Sequence, residues 1–175
     1  MRVPRSLLIV SGSLALATCV DADPTALDRA PAPGLGLVPG PPSSFCGVAT
    51  VVDLLADENV VVGTVEVVND EDAVFVTFRA NANAPLLKTA VAVGDDPADL
   101  PTNRNGSPQP GRFPYKANHR GGPTTVTWRV DGSPGAGEIL HVAAFAEVSL
   151  DGEEEGAWGD GEEFDPAFGW ATRFT

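Results

Sequence analysis

Two cysteines, two histidines, one tyrosine and 11 basic residues are all that a chain of 175 residues offers of the side chains most used for metal binding, proton transfer and phosphate recognition. There is no Cys-x-x-Cys pair, so zinc ligation and thioredoxin-like redox chemistry lack a ligand set. Against 24 Asp and Glu, the 11 Lys and Arg leave a net charge of −13. That sign excludes nucleic acid as a partner and disfavours electrostatic adhesion to anionic lipid. His119 and His141 are the only bases suited to neutral pH, and neither lies in a catalytic motif. Gly132-Ser133-Pro134-Gly135 has the spacing of a turn, not of a Gly-x-Ser-x-Gly nucleophile elbow. These shortages point away from an enzyme. A hydrolase with paired carboxylates stays open as a third reading, because the distance between two carboxyl groups is a tertiary property.

Long apolar runs are scarce as well. Beyond the N-terminus each one is broken by Asp, Glu, Gly or Pro within about a dozen residues, short of the roughly 20 that span a bilayer. The exception in kind is Leu7 to Ala17, which follows Arg2 and Arg5 and has the length and flanks of a cleaved signal peptide, residues 1–18. Leu16-Ala17-Thr18-Cys19 resembles the bacterial lipobox, although Thr18 replaces the usual small residue before the Cys. The resemblance implies lipidation of Cys19 and a membrane partner reached through that lipid. Ala15-Leu16-Ala17 also fits an ordinary small-x-small site, which would release a chain beginning at Thr18 to the periplasm or the medium. The two routes use the cysteines differently: a lipidated Cys19 leaves Cys46 alone, whereas an unlipidated one can bridge to it. Residues 19–44 are rich in Pro, Ala, Gly and Asp without apolar periodicity, and read as a flexible linker that would lift a domain off a membrane.

From residue 45 to 175 the chain is long enough for one domain with its own core, and its apolar residues recur with the period of strands. Val48 to Leu55, Val60 to Val68, Ala73 to Arg79, Leu86 to Val93, Thr124 to Val130, Ile139 to Leu150 and Trp170 to Phe174 make about seven candidates. The cleanest sets Val126, Trp128 and Val130 against Thr125, Thr127 and Arg129. No stretch keeps a capped helical stripe. The expectation is all-β, a single antiparallel β-sandwich.

Two segments stand outside that pattern. Gly94 to Gly122 carries five prolines and is too long for a simple connection. Its Phe113 and Tyr115 either plug the open end of the sandwich or, with Trp158, form an aromatic surface for a glycan or protein ligand. Asp151 to Asp165 packs eight carboxylates around Trp158 and reads as a solvated acidic loop. If that segment holds Ca²⁺, Asp160, Glu162 and Asp165 are the candidate ligands, since Gly159 and Gly161 would let the backbone wrap the ion.

Pro110-Gly111-Arg112-Phe113-Pro114-Tyr115, Ala143-Ala144-Phe145-Ala146 and Trp170-Ala171-Thr172 occur in this order. In them the chain resembles a group of bacterial secreted proteins and lipoproteins with a Gly-x-Phe-Pro-Tyr loop, an Ala-Ala-x-Ala strand and a Trp-Ala-Thr ending. Phe145 and Arg173 depart from the His and Tyr expected at those places. The resemblance implies secretion and a β domain, and no reaction. The expectation for the whole is a lipid-anchored, non-enzymatic cell-envelope module with an unknown ligand. Its runner-up is a calcium-stabilised carbohydrate binder.

Overall fold

In a computed structural model, residues 36–132, 134–135, 137–164 and 171–175 are described. The signal peptide, Cys19 and most of the linker lie outside the described residues, as do Asp165 and Trp170. The chain is all-β, as its period-2 patterning requires. Its strands are β1 (Leu37–Val38), β2 (Cys46–Ala56), β3 (Val60–Asn69), β4 (Ala73–Ala80), β5 (Leu86–Gly94), β6 (Tyr115–Asn118), β7 (Thr125–Asp131), β8 (His141–Leu150), β9 (Glu153–Gly159), β10 (Glu162–Glu163) and β11 (Thr172–Arg173). Among the described residues the helical content is two short 3-10 turns, Pro97–Asp99 and Pro110–Arg112. No helix there is long and apolar enough to cross a membrane.

Instead of two separate sheets, nine strands form one antiparallel ladder in the order β1-β7-β4-β3-β2-β9-β8-β5-β6, and β10 pairs with β11 in a small ribbon. The ladder narrows in its middle, where β2 and β9 share only Leu54↔Gly159, Leu55↔Trp158 and Ala56↔Ala157. About this junction the halves face each other. Val65, Val76, Phe78 and Trp128 of one half share a core with Val91, Ala144, Val148 and Ala157 of the other. Burying this apolar set from both faces is the main force holding the halves together. A hydrogen bond crosses the core from Trp128 Nε1 to Thr89 Oγ1, 2.9 Å.

Four strands depart from the sequence expectation. The acidic segment is not a loop: Glu153 to Gly159 forms β9, the partner of β8 through Leu150↔Glu153 to Phe145↔Trp158. Asp151 (φ 53) and Gly152 (φ 91) make the two-residue reversal between them, with the positive φ at both positions that a tight hairpin needs. The Pro-rich segment hides β6, held by Lys88↔Asn118 to Val91↔Tyr115. The end of the presumed linker is ordered, since Leu37 and Val38 of β1 pair with Trp128 and Thr127. The ribbon strand β10 is too short to have a period. Cys46, at the start of β2, is disulfide-bonded.

Candidate functional site

The three rings proposed as a ligand platform do not converge. Phe113 is 0 % exposed, Tyr115 7 % and Trp158 7 %, and they belong to two different cores. Trp158 points to the outer face of β9, where Ala90, Ala92 and Ala143 leave a shallow bed in the neighbouring strands. Phe113 and Leu100 close over that bed from the Pro-rich segment, and Phe164 packs against it from the ribbon side. Trp158 meets Phe113 at 6.2 Å and Phe164 at 6.3 Å edge-on, and Phe145 at 5.0 Å in a tilted arrangement. These separations suit the ring quadrupoles. The Arg173 guanidinium lies 5.3 Å from the centroid of the Phe164 ring and donates to Glu162 Oε2 at 3.1 Å. Phe145 and Arg173, the two departures from the resembled pattern, thus serve one apolar cluster and its lid.

Tyr115 faces the opposite way, into the main core, edge-on to Trp128 at 6.2 Å. Burial pushes its phenol above the usual range, partly offset by the charge of Arg129. Beside it runs a short polar chain. Trp128 Nε1–H can only donate, and it donates to Thr89 Oγ1, which also meets His119 Nε2 at 2.7 Å. The hydroxyl donates to Nε2 when the ring proton is on Nδ1 and accepts from Nε2–H in the other tautomer. Burial holds the His119 pKa below the ordinary value for histidine. Thr89 is fully buried, so the hydroxyl that His119 touches is shut off from any substrate.

This arrangement fixes a pH dependence. As pH falls below about 6.5, the unfolded chain binds a proton at position 119 before the folded one does, so stability is lost on acidification. Partial exposure of His119 limits the effect to about 1 kcal/mol or less. In denaturant titrations at pH 7.5 and pH 5.5, His119→Gln, which can still accept from Thr89, is expected to lose less stability than the wild type. An equal loss in both would show that position 119 contributes nothing to the acid response.

The other candidate groups are scattered. His141 Nδ1 is enclosed without a hydrogen-bond partner among the described residues. Asp160 is exposed, and its backbone N–H donates to Asp53 O at 2.7 Å. Glu162 is engaged by Arg173, and Asp165 lies outside the described residues. Among the described residues no three acidic, His or Cys side chains gather as a metal would require.

An open cleft of about 300 Å³, which nothing in the sequence foretold, lies at one end of the interior. Val48, Val67, Val74, Ile139, Val142 and Phe174 line most of it, and Thr50, Asn69 and Glu138 add polar atoms. It exists because β2 pairs with β9 only from Leu54 onward, so the first half of β2 has no strand opposite β3 among the described residues. Val48 is 92 % exposed and Ile139 65 %. Sequence patterning detects strands but not where two of them part. No family model, curated protein or solved structure matches the chain.

Proposed function

We propose that this chain is an exported, non-enzymatic β module of the cell envelope that acts by binding. The observation that carries the reading is the use of its reactive-looking side chains. Phe113, Tyr115 and Trp158 are packing residues, and His119 serves a buried threonine. Among the described residues a cleft lined mainly by apolar side chains opens to solvent. Buried rings cannot stack on sugar, so the carbohydrate reading loses its platform. The disulfide at Cys46 supports an oxidising compartment.

That disulfide also bears on anchoring. The sequence contains two cysteines, and a bridge within one chain would use the Cys19 sulfur that a lipid thioether would otherwise occupy. We therefore favour release after Ala17 to the periplasm or medium. The lipobox-like Leu16-Ala17-Thr18-Cys19 supports the lipid-anchored form as the second reading. Intact-mass analysis of the exported protein separates them. The expected species begins at Thr18, does not react with maleimide, and gains two thiols on reduction. A diacylglyceryl Cys19 with a maleimide-reactive Cys46 would overturn release in favour of the anchored form.

A further inference from the structure

We infer that the cleft at the open end of the interior binds a small amphipathic cation, an alkylammonium-like molecule whose chain lies on the valines and whose charge sits at the rim. The inference rests on the reading of the domain as a binding module and adds the class of ligand. The walls supply the first half of the argument. Val74, Val142 and Phe174 are core side chains that line the cleft with the partly buried Val67, while Val48 and Ile139 extend the same apolar surface into solvent. Exposed apolar surface continuous with a cavity is what an apolar ligand covers. A volume of about 300 Å³ admits on the order of ten non-hydrogen atoms, taking about 30 Å³ for each, as for a water molecule.

Charge supplies the second half. Among the described residues Glu138 is the only ionisable side chain on the lining, and no Lys, Arg or His contributes to it. Asn69 and Val74 belong to the lining, and the turn between them carries Asp70, Glu71 and Asp72. Arg129, which lies opposite Phe75 across the ladder, is engaged by Asp131. A fatty acid would bring its carboxylate to the Glu138 carboxylate, whereas an ammonium group finds charge of the opposite sign there. Glu138 is also held in place, since its Oε2 accepts from the Gly135 N–H at 2.7 Å and leaves Oε1 for a ligand.

The test uses the full exported protein and three eight-carbon probes, octylammonium, octanol and octanoate, followed by titration calorimetry and thermal melts at pH 7. Octylammonium is expected to bind most tightly and to raise the melting temperature by several degrees near saturation, octanol less, and octanoate not at all. Thr50→Phe, which puts a ring into the cleft from a strand position, should abolish the response. Glu138→Gln keeps an acceptor for Gly135 and should weaken octylammonium by about two- to fivefold while leaving octanol unchanged. Octanoate binding as well as octylammonium, or equal binding of all three, would overturn the choice of a cation and leave the binding module standing. Silence to every probe, or a response that survives in Thr50→Phe, would remove the cleft as the site. Export is read independently from the mature mass.

Discussion

Phe113→Ala is expected to cost about 3–5 kcal/mol of folding stability, the range for removing a buried aromatic ring from a core that cannot collapse around the loss. The site cannot collapse because its floor is sheet. Ala90, Ala92 and Ala143 lie on hydrogen-bonded central strands, and Trp158 is held between Phe113 and Phe145. Denaturant or thermal unfolding measures the loss, which amounts to a fall in melting temperature of about ten degrees or more for a domain of this size. Phe45→Ala, at a ring 47 % exposed, should stay within about 0.5 kcal/mol. A double-mutant cycle between Phe113 and Trp158 should return a coupling of about 0.5–1.5 kcal/mol for the edge-on pair. Phe113→Ala without a stability cost would contradict its burial and return the ring to the list of ligand contacts.

The same contrast shows what can be read from a sequence of this kind. Strands with a buried and a wet face announce themselves: β7 places Val126, Trp128 and Val130 in the core as its alternation predicts. The strands β4 and β8 were also legible, although Phe75 and Thr77 on the second face of β4 are buried as well. For Phe75 the cover is Val68, Ala73, Val38 and Ala49. Amphipathic patterning reports one covered face, and burial on the second depends on segments remote in sequence.

Charge density concealed β9. Glu153, Glu154 and Glu155 lie beyond the three pairs with β2, where the strand is an edge, and carboxylates on an edge discourage pairing with another chain. Composition alone reads that protection as a loop. The signal that could have revealed the strand was Asp151-Gly152 between Leu150 and a following run ending in Ala157-Trp158, because Asp-Gly favours the tight reversal seen here. For the site, residue type was legible and placement was not. Phe113, Tyr115 and Trp158 are the rings the sequence singles out, but which core each enters depends on where the ladder turns at Leu54 to Ala56.

That turning point carries the second large effect, at Gly63. It pairs with Leu54 on one side and Ala80 on the other, next to the register shift between Leu54 and Leu55. A Cβ at this position would lie 2.2 Å from Arg79 O and 2.8 Å from Ala80 Cα. Both contacts are backbone, so no side-chain rotation relieves them. Accommodating even a methyl group means spreading β3 from β4 beside the strand that hands the ladder from one half to the other. Gly63→Ala is therefore expected to destabilise by about 3 kcal/mol or more, at or beyond the upper end of overpacking penalties. Because β2 and β9 continue the ladder from one half to the other through only three residue pairs, the loss should also speed hydrogen exchange at Leu54, Leu55 and Ala56 more than at the distant β7. Gly111→Ala is the control, since a Cβ there meets nothing within 4 Å, and it should change stability by less than about 0.5 kcal/mol. A Gly63→Ala variant as stable as the Gly111→Ala one would mean that β3 and β4 are not in contact as described. The junction would then have to be sought elsewhere in the ladder.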